Sequence, residues 1–408
     1  MSVSVVQLGA RMHYAVPRIL SEAGHLGHLY TDACSFHRLA RALSLAPMTI
    51  YPGAVRRFLG RTPNGIPRSQ VHSFIGISLK GLWRSRKAEA FSVEQAEMFL
   101  DQGRQLCRQA INGGVLESKA IYMFNSASLP LLEAAKRAGV KTIYEQTIAP
   151  VKSEWTLIKE EHLRWTDWEI SSSYDEFYGR FSDVEAREHE LADQIICGSE
   201  FVKQNIVRRG GQPVDVVPYG VSAPPATTAK REFGSLGRKL RVLTVGAVGL
   251  RKGAPYVHEA ATRLRNGAEF RWVGKSGLTE QANRQMASSV TMTGVVPRSE
   301  MINHYAWADV FLLPSICEGS ATVTYEAIQY GLPLVITPNT GAPVPEDTGV
   351  YIPIRDSDAI VSRIQQLADD PVELERLRAV SWSLAPSLTF EAYRDRLLKA
   401  TLPTLSSR

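Results

Sequence analysis

The stretch DVFLLPSICEGSATVTYEAIQYGLPLVIT, Asp309 to Thr337, contains a whole structural unit. DVFLLPS is a short apolar run that reads as a buried strand, TVTYEAIQYG has helical spacing, and LPLVIT is a strand again. Gly331 suits the left-handed position that ends a helix, and Pro333 lies just beyond it. Strand, loop, helix, strand is the order of a parallel sheet, with the loop at the carboxyl end of the first strand, where ligands collect. Glu318 falls in that loop and Glu326 on the second turn of the helix. At about 1.5 Å per residue, the positions from one to the other span roughly 12 Å, close to the distance from a ribose to the sugar in a nucleotide-sugar. Between the carboxylates, the amides of Gly319, Ser320, Ala321, Thr322 and Val323 open the helix, where its dipole favours an anion. Two carboxylates for vicinal hydroxyls, with amides between them for a diphosphate, form a coherent binding device.

A second element of the same design lies upstream. VLTVGAVGLRKGAPYVHEA gives a strand, a turn containing Gly246, the adjacent cations Arg251 and Lys252, and then a helix. Two cations after a strand end suit a diphosphate. RKG alone is equally the sequence of a solvated turn; in order with the paired glutamates it gains meaning.

Outward from these motifs, strand-like and helix-like segments alternate along the whole chain. In the first half SVSVVQLG, IYMFNS, KTIYEQ and LADQIICGS read as strands, and YAVPRILSEAG, LPLLEAAKRAG, EAREHELA and FVKQNIVRRG as helices. In the second, LRVLTVG, AEFRWVG, VTMTG, DVFLLPS, LPLVIT and YIPI read as strands. The expected fold is α/β: two Rossmann-like, doubly wound parallel-sheet domains facing a cleft. Residues 1–220 form the first; 221–239, rich in Pro, Ala and Thr, the linker; 240–385 the second. The helix in 386–408 packs back on the first domain. Residues 151–185 lack a clean period and read as a helical excursion near the cleft.

At 408 residues, 44% hydrophobic and 22% charged, the chain has the composition of a soluble globular protein. It contains no run of eighteen apolar residues, and MSVSVVQLGARMHYAV reads as a strand rather than a cleaved signal. Cys34, Cys107, Cys197 and Cys317 have neither metal-ligand nor disulfide spacing and are expected as reduced thiols in a cytoplasmic protein. The net charge is +6, but residues 1–88 hold twelve basic side chains against Glu22 and Asp32, leaving the remainder near −4. Eight of the twelve lie between Arg56 and Lys87, interleaved with apolar groups. That stretch is either a solvated basic face or a surface for anionic lipid headgroups or an acidic substrate. No nucleic-acid motif accompanies it, and nucleic acid is not expected as a partner.

The second half resembles the donor-binding domain of the retaining glycosyltransferases of family 4, which have the GT-B architecture. The resemblance rests on ADQIICGSEFVKQNI, VVPYGVS, VGAVGLRKG, TGVVPRSEMINHYAWADVFLLPS and the Glu-x7-Glu motif EGSATVTYE, in family order over roughly residues 186–345. It implies that Glu326 holds the ribose hydroxyls and that Glu318 contacts the donor sugar at its anomeric carbon. It also implies that the amides of Ser320 to Val323 meet sugar and phosphates, that Lys252 and Arg251 neutralise the departing diphosphate, and that Val296 contacts the base through its backbone. It makes 240–385 the donor-binding domain and 1–220 the acceptor-binding one, from which Gly9 and Ala10 would approach the phosphates. The chain departs from the family pattern at Ser320-Ala321, where an aromatic Phe-Gly is common, and at Ala247, where many members carry Arg.

The expected function is therefore metal-independent transfer of a sugar, with retention, from a nucleotide-diphosphate sugar to a saccharide or lipid-linked acceptor in cell-surface polysaccharide or glycolipid synthesis, at the cytoplasmic membrane face. No cofactor is expected. Asp356-Ser-Asp358 mimics a metal-binding pair but precedes a helix, which it would cap. His13, in the loop after the first strand, would bond acceptor or phosphate, or else a local partner. Glu145 and Arg11 are acceptor-side candidates, Glu145 standing near where the family often has a histidine. The alternative is a non-catalytic nucleotide-sugar-binding or scaffold protein on the same fold.

Overall fold

The computed structural model describes residues 2–37, 51, 53–85, 92–170, 174–207, 211–224 and 237–406. Residues 225–236 of the expected linker, and Arg86 and Lys87 of the basic stretch, lie outside the described residues.

Two parallel sheets carry the chain. The first is built from β1 (Val3–Gln7), β2 (Leu26–Thr31), β3 (Val71–Ser73), β4 (Ala120–Phe124), β5 (Lys141–Gln146), β6 (Gln194–Cys197) and β7 (Val214–Val216), in the order 3-2-1-4-5-6-7. The second holds β8 (Leu240–Val245), β9 (Ala268–Val273), β10 (Val290–Gly294), β11 (Val310–Leu313) and β12 (Leu334–Ile336), in the order 10-9-8-11-12. Adjacent strands run parallel throughout both sheets. Strands covered by helices on both faces must be apolar along their length, and VSVVQ, AIYMF and VFLL are buried at every residue. In each sheet the strand order reverses once, between β1 and β4 and between β8 and β11. The crevices beyond those reversals are where a doubly wound sheet binds ligands.

Local signals set the helix ends. Ser199 accepts the amide of Val202 at 3.2 Å to start Glu200–Asn205, and Gly139, with φ of 68°, ends Leu129–Ala138. Asp356 accepts the amide of Ala359 at 2.8 Å and caps Ser357–Asp369, while Asp358 pairs with Arg263 at 2.5 Å. The acidic pair is thus spent on a cap and an ion pair. YIPI is not a strand: only Tyr351 makes an isolated bridge, to Ile336, because Pro353 and the left-handed Arg355 (φ 64°) break the ladder.

Two segments tie the halves together. The closing helix, Phe390–Ser406, crosses back onto the first sheet's domain, where the Arg396 guanidinium donates to the carbonyls of Pro218 (3.0 Å) and Tyr219 (3.3 Å), and Gln194 donates to that of Ala400 at 2.9 Å. The excursion begins as the helix Val151–Arg164 and runs on to Ile170. Although it is inserted between β5 and β6, it lies as an arm along the second domain. Arg355 pairs with Glu160 at 2.5 Å and with the fully buried Glu161. The Tyr256 hydroxyl donates to Glu161 at 2.8 Å and accepts from the Trp165 indole at 3.2 Å, and the Thr279 amide donates to the Trp168 carbonyl at 2.8 Å. Ile158 and Trp168 belong to the same continuous apolar core as β8 and β11.

Candidate functional site at the two strand reversals

The β8 and β11 loops meet at one carboxylate. Gly246, at a φ of 125°, lets the chain turn sharply, and any Cβ there would strike the Lys252 side chain. Lys252, only 6% exposed, donates from Nζ to Glu318 Oε1 at 2.7 Å, and Arg251 donates to Glu318 Oε2 at 3.1 Å. Burial alone would push the Glu318 carboxyl up, but Lys252 and Arg251 outweigh it and hold it below the usual carboxylate range. The Glu318 amide donates to the Asn339 carbonyl at 3.1 Å, which fixes the loop beneath the charges. The sequence brings these three residues to one place as expected, but as a closed ion triad rather than as two free cations.

Glu326 sits on the helix Thr322–Gln329, half-buried, and accepts the hydroxyl of Tyr305 at 2.7 Å; Tyr305 stacks on Tyr330 with ring centroids 4.8 Å apart. Val296 lies in the turn after β10, partly buried. The amide row between the glutamates is not uniformly open. The Ala321 amide donates to the Thr340 carbonyl at 3.0 Å, because the β12 loop packs against the helix start, so it is not a free donor. Among the described residues the amides of Ser320, Thr322 and Val323 have no backbone acceptor. Ser320 is buried, its hydroxyl 2.5 Å from that of Tyr325.

From the first sheet, the loop after β1 faces this site across the cleft. Gly9 (φ 69°) gives its amide to Asp32 at 2.9 Å, so that donor too is engaged within its own domain. Ala10 leads into the turn Arg11–His13, and Met12, His13 and Tyr14 all have positive φ (44°, 52° and 61°), a conformation costing about 1 kcal/mol or more for each non-glycine. That turn presents His13 to the other domain, its Nε2 3.4 Å from Arg298. Its partner is not local. Arg11 donates to the Thr147 hydroxyl at 2.9 Å, and its guanidinium lies 5.4 Å from the centre of the Phe124 ring. Gly319 touches the first domain directly: a Cβ there would overlap the Thr147 carbonyl, and Ser199 donates to the Gly319 carbonyl.

A cavity of about 470 Å³ opens between the domains, lined by Arg11, Asn125, Glu145, Thr147, Tyr219 and Thr322 among others. Glu145, 3% exposed, accepts the hydroxyls of Tyr122 (2.5 Å) and Tyr219 (2.8 Å). Burial pushes its carboxyl up, and the two hydroxyl donors oppose the rise. A second cavity of about 350 Å³ shares Arg11, Phe124 and Asn125 with the first. Tyr305, Arg298, Thr147 and Asn339 escaped sequence reasoning: each meets its functional neighbour only through the fold, with no spacing to betray it.

These two facing Rossmann-like domains have the GT-B fold. The solved structures agree on the fold: HepE of Anabaena in complex with UDP and glucose is 13% identical, with 99% of this chain and all of that one covered and a TM-score of 0.62. Sucrose-phosphate synthase of Thermosynechococcus elongatus is 16% identical over all of both chains, with a TM-score of 0.64. Residues 239–370 match the family model described as "Glycosyl transferases group 1", so that likeness lies in the second domain. Among curated proteins, a GDP-mannose-dependent alpha-(1-6)-phosphatidylinositol monomannoside mannosyltransferase of Mycolicibacterium smegmatis is 30% identical over 44% of this chain and 54% of its own. The sulfoquinovosyl transferase SQD2 of Arabidopsis thaliana is 23% identical over 45% and 39%. The chain spans about half or less of the length of these curated relatives.

Proposed function

We propose that this protein transfers a glycosyl group from a nucleotide-diphosphate sugar to a saccharide or lipid-linked acceptor, in the synthesis of glycolipid or cell-surface polysaccharide. The observation that carries the reading is the Lys252–Glu318–Arg251 triad at the β8/β11 reversal, its lysine and glutamate buried and its arginine partly exposed, with Glu318 eight residues ahead of a half-buried Glu326. Glu326, held by Tyr305, suits ribose hydroxyls. A donor diphosphate entering over the open amides of Thr322 and Val323 meets Arg251 and Lys252, whose charge stabilises the leaving group as the glycosidic bond breaks. Preorganised cations supply that charge without a metal ion. Glu318 gains its role at the sugar as the cations turn toward phosphate.

Attack by the acceptor hydroxyl from the face the diphosphate leaves, with its proton passing to the departing phosphate oxygen, gives retention without a protein nucleophile. The acceptor lies in the interdomain cavity beside Glu145, with Arg11 in its lining and His13 in the adjoining turn to bond an anionic or hydroxylated group. The basic excess of residues 1–88 favours an anionic acceptor or lipid surface: Arg56 is exposed, and Leu79 and Phe99 are 54% and 43% exposed on the same domain. On this reading the protein works at the cytoplasmic face of a membrane.

The test is a thermal-shift panel of UDP, GDP, ADP, CMP and their sugar conjugates on wild type and Glu326→Ala. A ligand at about 100 times its dissociation constant adds roughly 2.7 kcal/mol of stability. One base should raise the wild-type midpoint and leave Glu326→Ala unmoved. No shift with any nucleotide at millimolar concentration overturns the donor site. Nucleotide binding with no transfer to any glycolipid or oligosaccharide acceptor makes the protein a binding module instead.

A further inference from the structure

The turn that presents Arg251 and Lys252 is held by a carboxylate from the other half of the sequence. Glu169, near the end of the arm, accepts the Leu250 amide at 2.7 Å. Its second oxygen lies 3.8 Å from His162 Nε2. The fit is close: Gly249 has extended backbone that any residue adopts, yet a Cβ on it would overlap Glu169 Oε1, with only the Cδ of Glu169 otherwise within 4 Å. On its other side the turn is pinned to the Glu318 loop, where the Arg251 carbonyl accepts the Ile316 amide at 2.8 Å. Glu169 makes no salt bridge to Arg251 or Lys252. It grips the backbone between them and the strand.

We propose that Glu169 is a positioning residue for the donor diphosphate: by holding the Leu250 amide it fixes the turn that aims Arg251 and Lys252. The first domain thereby completes the phosphate site of the second. This rests on the reading of those two cations as the phosphate ligands. The arm has other fastenings, through Arg355, Tyr256 and Thr279, so the Glu169 contact is not needed merely to dock it. Electrostatics and positioning predict opposite signs here. Removing an anion near two cations, by charge alone, tightens the binding of phosphate. Loosening the turn weakens it.

The experiment measures dissociation constants by calorimetry for the nucleoside diphosphate that wild type binds best and for its monophosphate. The variants are Glu169→Ala, Glu169→Gln, Gly249→Ala and Gly249→Ala with Glu169→Ala. Glu169→Ala and Gly249→Ala should each weaken the diphosphate about tenfold, the value of one well-made hydrogen bond. The monophosphate, held at the Glu326 end, should change less than twofold. Glu169→Gln keeps an accepting oxygen but sheds the charge and should bind at least as tightly as wild type, and the double variant should be no weaker than Glu169→Ala. Tighter diphosphate binding by Glu169→Ala, or equal losses for both nucleotides, overturns the proposal while leaving the donor site intact. If wild type binds no nucleoside diphosphate at millimolar concentration, the proposed function falls first and this proposal with it.

Discussion

Lys252 Nζ lies 2.7 Å from Glu318 Oε1, and both side chains are buried. Taking Lys252 away leaves Glu318 with Arg251 at 3.1 Å and the Ser315 hydroxyl at 3.5 Å. Breaking a buried pair costs about 3–5 kcal/mol when nothing replaces the lost partner. With Arg251 remaining, Lys252→Ala should cost about 2 kcal/mol in denaturant unfolding and lower transfer about 10²–10³-fold. Because the folded Glu318 carboxyl is held below its usual range, the triad's stabilisation is present above the ordinary glutamate pKa and fades as pH falls through the folded value. Lys252→Ala should therefore lose less stability, relative to wild type, in strong acid than at neutral pH.

Tyr305 orients Glu326 through a 2.7 Å hydrogen bond without lying between the paired glutamates in sequence. Tyr305→Phe keeps the ring stacked on Tyr330 and removes only the donor. Nucleotide affinity should drop about five- to tenfold, one ordinary hydrogen bond's worth, against about a hundredfold for Glu326→Ala, which loses bonds made by a charged group. Calorimetry with the preferred nucleotide checks both. Equal affinity of Tyr305→Phe and wild type would mean that Glu326 needs no orientation.

At Gly319 the two domains touch closely, since a Cβ would meet the backbone of Thr147 and Ile148. Backbone does not yield as a side chain does. Gly319→Ala should destabilise by about 1–3 kcal/mol and hold the cleft open, raising the radius of gyration in solution scattering and increasing proteolysis in the loops on both sides of the cleft.

A buried acid network lies behind the cleft in the first domain. Glu185 accepts the Val151 amide and the Gln146 side chain, each at 2.7 Å, and burial pushes its carboxyl up to about 7. Glu188, likewise pushed to about 7, accepts the amides of Ser126, Ser128 and Leu129. A carboxyl raised on folding contributes most below its unfolded pKa and loses that contribution as pH rises through the folded value. The stability difference between wild type and Glu185→Gln should therefore shift in favour of the variant by about 2 kcal/mol between pH 5 and pH 8. His189, held neutral and lowered to about 4, acts oppositely below its ordinary pKa and is common to both proteins. Parallel stability curves for the two would show that Glu185 is ionised in the fold throughout that range.

The paired sheets were legible because a parallel strand buried on both faces is an apolar run of a few residues, as in AIYMF and VFLL. Three strands of the first sheet were not: β3 and β7 are three residues long and only partly buried, too short for any period to register, and in β2 the apolar run is broken by Gly27 and the exposed His28. YIPI misled for the opposite reason, apolar enough for a strand but ended by proline. The same contrast divides the site. Glu318, Lys252 and Arg251 sit in loops that strand order alone brings together. That Ala321 and Gly9 have already given their amides to Thr340 and Asp32 depends on side-by-side packing of distant loops, which leaves no trace in spacing. The arm shows the limit most plainly, its partners Arg355 and Thr279 lying more than a hundred residues away.

That arm also sets where this molecule can be cut and rejoined. A chimera joining a foreign first half to this second half at residues 221–239 would import β8 to β12 but leave behind Glu161, Trp165 and Glu169. The transplanted half would then expose Tyr256 and the floor beneath Ile158 and would lack the support under Leu250. The natural recombination unit is therefore discontinuous in sequence: the second domain together with the arm encoded inside the first.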